Sequence, residues 1–210
     1  MPSIIREEPI SKKRKRVTVE EKPSSDGAPL AKAHKSVAKQ AAAQVAELEA
    51  AISESQKNLN NIATLLSLAK KDVKLGHAHS ASVIALCRVF CRLLVDGRLT
   101  RSNANSEKEL TVIEWLRARY ADYQRLVLDQ LRDGEPAAQL LALTCCMQLL
   151  REEVSNATTG VESIWKSGLF LKVAASVLGS AEDSELSQEF TKSYVQPYDD
   201  VRHYTFMAIS

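Results

Sequence analysis

The stretch Ser80–Val95, SASVIALCRVFCRLLV, decides how the rest of the chain is read. Val83, Ile84, Cys87, Phe90, Cys91 and Leu94 recur at three- and four-residue spacings, which on a 3.6-residue period places them on one helix face. Leu86, Val89 and Leu93 widen that stripe, so this helix must be covered on more than one side. Asp96-Gly97 supplies the stop. A second stretch of the same kind, PAAQLLALTCCMQLL over 136–150, begins some 55 residues later, opened by a proline that loses no helical hydrogen bond at a first position. The spacing therefore predicts two inner helices with amphipathic neighbours.

Those neighbours are legible on either side. Upstream, Leu59, Ile62, Leu65, Leu66 and Ala69 form a stripe over about 59–71, with Gly76 ending the turn that follows. Between the inner helices, Ser106 is set to cap the backbone N–H of Glu109 and to open a helix with the stripe Ile113, Leu116, Tyr120, Tyr123 and Val127. Asp133-Gly134 closes it. Downstream, a Ser/Asn/Thr/Gly loop precedes three short helices expected near 167–178, 184–195 and 199–209, the last two divided by Pro197.

Composition agrees with helices throughout. The 210 residues include only 7 glycines and 6 prolines, about half the usual share, and 5% aromatics, which argues against a sheet sandwich. Cys87, Cys91, Cys145 and Cys146 lie inside apolar helical stretches and read as reduced, buried thiols. The longest uncharged run, 136–150, falls short of the roughly 20 residues a membrane-spanning helix needs. Residues 1–40 hold ten Lys/Arg against five Asp/Glu, whereas the remainder holds 18 against 21, so a basic tail precedes a mildly acidic body.

The expected organisation is a disordered basic tail over 1–29, an Ala/Lys/Glu-rich helix or linker over 30–57, and a helical-repeat domain over 58–210. The fold class is all-α, an irregular α-solenoid of HEAT or armadillo type, with an irregular helical bundle as the alternative. Thr205 to Ser210 ends inside an apolar helix without the polar cap a solenoid requires, so the repeat domain is expected to continue beyond this chain.

The chemistry of catalysis is not legible. There is no Gly-rich phosphate loop, no Gly-x-Ser-x-Gly and no His-Glu-x-x-His, and histidine occurs only at 34, 77, 79 and 203. No enzyme activity and no cofactor are expected. His77 and His79 precede the Cys87/Cys91 pair, but knuckle-like ligand spacing is lacking and core thiols are the simpler reading, so no metal is expected either. Trp115 and Trp165 read as core residues, and Arg117, Arg119 and Arg125 as the solvated face of one helix. Asn156-Ala157-Thr158 matches a glycosylation sequon by chance. Lys12, Lys13, Arg14, Lys15 and Arg16 form an unbroken cationic run suited to an import receptor, or to electrostatic contact with RNA phosphates.

The segment Tyr194 to Phe206, YVQPYDDVRHYTF, resembles the nucleolar complex protein 4 family of ribosome-biogenesis factors, related to the CCAAT-binding factor group. Ser82 to Leu99, Trp115 to Tyr120, Leu140 to Glu153, and Trp165 with Phe170 and Val173 are similar to further family segments in the same order, so the likeness covers about 59–210. The resemblance implies a non-catalytic nucleolar scaffold that works with nucleolar protein 14 and other small-subunit pre-ribosome factors, in pre-rRNA processing and pre-40S assembly. It also implies that the main partner region lies downstream of this chain. Tyr198, Asp199, Asp200, Arg202 and Tyr204 are the family-like residues for possible interaction. A structural account of them is also open: Asp199 and Asp200 in the first turn of a helix, with Tyr198 packing back as a staple. Outside the resemblance, a DNA-associated transcription-related factor and a helical-repeat transport adaptor are the alternative functions.

Overall fold

A computed structural model describes residues 28–76, 80–101, 104, 106–157, 160–181 and 184–209, with side chains from residue 39 onward, 167 and 209 excepted. Every regular element among the described residues is helical: α1 (Ala28–Glu54), α2 (Asn61–Lys74), α3 (Ala81–Val95), α4 (Glu107–Asp133), α5 (Pro136–Ser155), α6 (Val161–Ser167), α7 (Leu169–Leu178), α8 (Glu185–Phe190) and α9 (Asp199–Ile209). A 3-10 turn, Gln56–Asn58, joins α1 to α2. The basic run Lys12 to Arg16, His77 and His79, and Thr158 of the sequon lie outside the described residues.

The helix ends follow from local chemistry. Ser80, Ser106 and Ser184 each stand in extended backbone and accept a hydrogen bond from the N–H three residues on, at 3.3, 3.2 and 3.1 Å, so three helices start on a serine cap. The expected cap at Ser106 is therefore present. At the end of α3, Arg98 N–H donates to Leu93 O at 2.9 Å and Gly97 N–H to Leu94 O at 3.0 Å, which is a Schellman closure. It needs a left-handed residue, and Gly97 has φ 65°. Pro136 occupies the first turn of α5.

Residues 38–210 form one unit. The connections α2–α3 and α4–α5 are short and each pair packs along its length, giving two antiparallel hairpins. The two predicted inner helices hold the centre. α3 buries Ser82, Val83, Ala85, Leu86, Cys87, Val89, Phe90, Cys91 and Leu93, around most of its circumference. α5 packs against α3, α4, α6, α7 and α8, and buries Ala142, Leu143, Cys146 and Leu149 completely. The architecture is an all-α solenoid.

Phe90 joins the hairpins, with its ring 5.2 Å from that of Tyr120 and 5.4 Å from that of Tyr123. Tyr123 is fully buried and its hydroxyl donates to Val83 O at 2.9 Å, which pins α4 to the first turn of α3. All four cysteines are buried and free. Cys87 Sγ donates to Cys145 O at 3.7 Å, and hydrogen bonding to Cys145 and Cys91, together with burial, holds its thiol far above the ordinary range. Burial likewise pushes Cys146 up.

Two elements differ from the sequence expectation. Val161–Ser167, expected as loop, is a helix that delivers Trp165 to the core; its single Val161/Ile164/Trp165 stripe is too short to register as a period. It stops at Gly168, where a β-carbon would lie 2.4 Å from the carbonyl oxygen of Ile164, so the break from α7 requires glycine. The helix expected over 184–195 is α8 followed by a π-helical turn, Thr191–Val195, in which Gln196 N–H reaches Thr191 O at 2.9 Å. No described helix is long and apolar enough to cross a membrane.

This packing ranks substitutions. Leu149→Ala, at a fully buried position of α5, is expected to cost about 2 to 5 kcal/mol, whereas Leu75→Ala, at a position 60% exposed, should stay within about 0.5 kcal/mol. Urea denaturation followed by circular dichroism measures both; equal losses would contradict the central position of α5.

Candidate functional site

The stack leaves a cleft of about 490 Å³ between the end of α3, the middle of α4, the end of α5, and α6 with the start of α7. Its walls are Leu94, Leu99, Ile164 and Leu169, and its polar groups are Arg117, Gln124, Glu153, Asn156 and Lys172. A cleft of this size with apolar walls and a few convergent polar groups has the make-up of a binding site.

Glu153 is the group around which the cleft is organised. Tyr120 donates its hydroxyl to Glu153 Oε1 at 2.6 Å, and Gln124 donates an amide N–H to the same oxygen at 3.1 Å. Tyr120 and Gln124 are one turn apart on α4, so both reach one carboxylate on the neighbouring helix. Burial raises the carboxyl above the ordinary glutamate value, against the lowering effect of those two hydrogen bonds and of Lys172. Burial, reinforced by the Glu153 charge, also holds the Tyr120 phenol well above its usual range. On the far wall Arg117 donates to Leu99 O at 3.0 Å, closing the α3–α4 connection. The set suits hydrogen bonding and charge pairing.

The cleft was not among the sequence candidates. Glu153 is a single carboxylate past the apolar run of α5, and nothing in its spacing shows that Tyr120 and Gln124 of another helix converge on it. The expectation for the α4 arginines also needs correction. Arg119 is not simply solvated: its guanidinium lies over the Trp115 ring, 5.8 Å from the centroid, it pairs with Asp122 at 3.1 Å, and its Nε is buried without a hydrogen-bond partner. Trp115 is half-buried against the core and Trp165 is buried.

The family-like residues of the last helix fall into two groups. Tyr204 stacks on Trp165, with ring centroids 4.9 Å apart and planes 6° from parallel, and Trp165 meets Phe170 edge-on at 4.9 Å. Val201 and Thr205 are buried beside it. Asp199 and Asp200 lie exposed in the first turn of α9, and Arg202 pairs with Asp199 and donates to Gln196 O at 3.3 Å. Tyr198 does not pack back as a staple, being 57% exposed. It precedes the first helical residue, so the register that directs Val201, Tyr204 and Thr205 inward does not govern it.

The raised Glu153 pKa has a signed consequence. A carboxyl that titrates higher in the folded state favours the protonated fold; this stabilisation is complete below the unfolded pKa and is lost as pH rises through the folded one. Glu153→Gln keeps an acceptor for both donors and removes the ionisation cost. Its stability relative to the parent should therefore be greater at pH 7.5 than at pH 4, by up to about 1.4 kcal/mol for each tenfold by which folding tightens the carboxyl's hold on its proton. Denaturation at the two pH values measures this, and a pH-independent difference would contradict it.

The comparisons with known proteins cover nearly all of this region. The family model described as nucleolar complex protein 4-like, TPR repeats, matches residues 34–210. An uncharacterized protein of Schizosaccharomyces pombe is 28% identical over 166 residues, which are 77% of this chain and 33% of that protein, so the chain spans about a third of this relative's length. No solved structure matches. The match takes in every helix from α2 to α9, with both inner helices, the cleft at Glu153 and the Trp165–Tyr204 stack, and the chain belongs to the nucleolar complex protein 4-like family.

Proposed function

We propose that this chain is a non-catalytic scaffold in small ribosomal subunit biogenesis, acting in pre-rRNA processing and pre-40S assembly in the nucleolus. The observation that carries the reading is the family match over 34–210, laid on a fold made of stacked helices. Stacked helical repeats expose long ordered surfaces to protein partners, and need no reactive group to do so. The partners proposed are nucleolar protein 14 and other factors of the small-subunit pre-ribosome. Lys12, Lys13, Arg14, Lys15 and Arg16 would engage an import receptor, and any contact with pre-rRNA would be electrostatic or indirect.

Affinity purification of the tagged chain from nuclear extract, with bound proteins and RNA identified, tests the reading. Small-subunit precursor RNA and its processing factors are the expected yield; transport cargo or promoter DNA without precursor RNA would overturn it. Replacing Lys12 to Arg16 by alanine should move a fluorescent fusion out of the nucleus while leaving its circular dichroism unchanged. Undiminished nuclear accumulation would remove the import role of the tail.

A further inference from the structure

The C-terminal half of α1 is held to the body mainly by charge. Its apolar contribution is Val45 and Ile52, which are buried, and Leu48, which is half-buried. Three side chains over two turns is a thin anchor for a helix bearing charge on its other faces. What supplements them is one carboxylate. Glu49, whose side chain is only 15% exposed, receives Arg88 Nε at 2.9 Å and Arg88 Nη2 at 2.6 Å on its two oxygens, and Arg92 Nη2 at 3.1 Å. Arg92 also donates to Ser53 Oγ, a turn further along α1. Arg88 and Arg92 stand four residues apart on the outer face of α3, so both can converge on one acceptor.

Beneath this clamp the packing is incomplete. A cleft of about 360 Å³ lies between the end of α1 and α3, lined by Ile52, Ser53, Val89, Arg92 and Leu93. Side chains facing a void lose the dispersion contacts that a filled interface supplies. The two arginine side chains are 55% and 47% exposed, so water and salt reach the clamp. The far end of the segment is firmer: Asn58 donates to Ala51 O at 2.9 Å and Ser55 caps the 3-10 turn that leads into α2.

We propose that the segment 45–54 of α1 is a strap that opens from α3 as a unit, latched by Glu49 on Arg88 and Arg92, while the α2–α9 stack stays folded. Opening uncovers an apolar strip at Val89 and Leu93 together with two arginines, and the strap itself is the occupant that re-covers them. The hinge is the 3-10 turn at Gln56–Asn58. Local openings of this kind follow the distribution of buried contacts and precede global unfolding.

Hydrogen exchange read by mass spectrometry on the full 210-residue chain tests the strap. Amides of 45–54 should exchange at least tenfold faster than the central amides of α5. Glu49→Gln should accelerate them a further several-fold without changing α4 or α5, and raising NaCl from 0.05 to about 0.5 M should do the same to the parent chain but add little to the variant. Glu114→Gln, which removes the exposed Arg101 pair, should leave 45–54 unchanged. Exchange of 45–54 in step with α5, or acceleration of every helix alike by Glu49→Gln, would overturn the proposal.

Discussion

Burial of α5 on all sides is the constraint from which the rest of the structure follows. A helix with Ala142, Leu143, Cys146 and Leu149 fully enclosed has no solvent face to spare, so α3, α4, α7 and α8 must surround it. Each fully buried leucine contributes about 1.5 to 3 kcal/mol relative to exposure. The small side chains matter as much as the large ones. Ala142 and Cys146 lie one turn apart and leave room for neighbouring helices to approach closely.

Polar groups then set the register of elements that apolar contact alone would leave free to slide. Asp72 Oδ2 accepts from Ser80 at 2.9 Å and from Ser82 at 2.8 Å, tying the end of α2 to the start of α3 across their loop. Tyr123 on Val83 O ties α4 to α3, and Tyr120 with Gln124 on Glu153 ties α4 to α5. Leaving any of these buried groups without its partner would cost more than the bond itself contributes. The last bond set doubles as the floor of the cleft, so the feature that fixes the hairpin also presents a carboxyl that burial shifts upward.

The helical core was largely legible. The stripes of α2 to α5, the serine cap at 106, the stop at Asp96-Gly97 and the proline start at 136 all appear where spacing and cap chemistry put them. The family likeness, read from short segments in order between about 59 and 210, agrees with a match over 34–210. Less was visible where the elements shorten. Seven residues of α6 give one turn of pattern and a second partial one, and a π-helical turn has no residue signature of its own.

What the sequence by itself determined is therefore the all-α class, the two inner helices and the burial of the cysteines, because each depends on a period or cap that repeats within about 15 residues. Tertiary structure alone decided that Tyr120, Gln124 and Glu153 meet, that Arg119 folds over Trp115, that Tyr204 stacks on Trp165 while Tyr198 faces solvent, and that Glu49 gathers two arginines of α3. These are contacts between helices or beyond a helix end. Their geometry is set by which faces the packing turns toward each other, and no local spacing along the chain encodes that rotation.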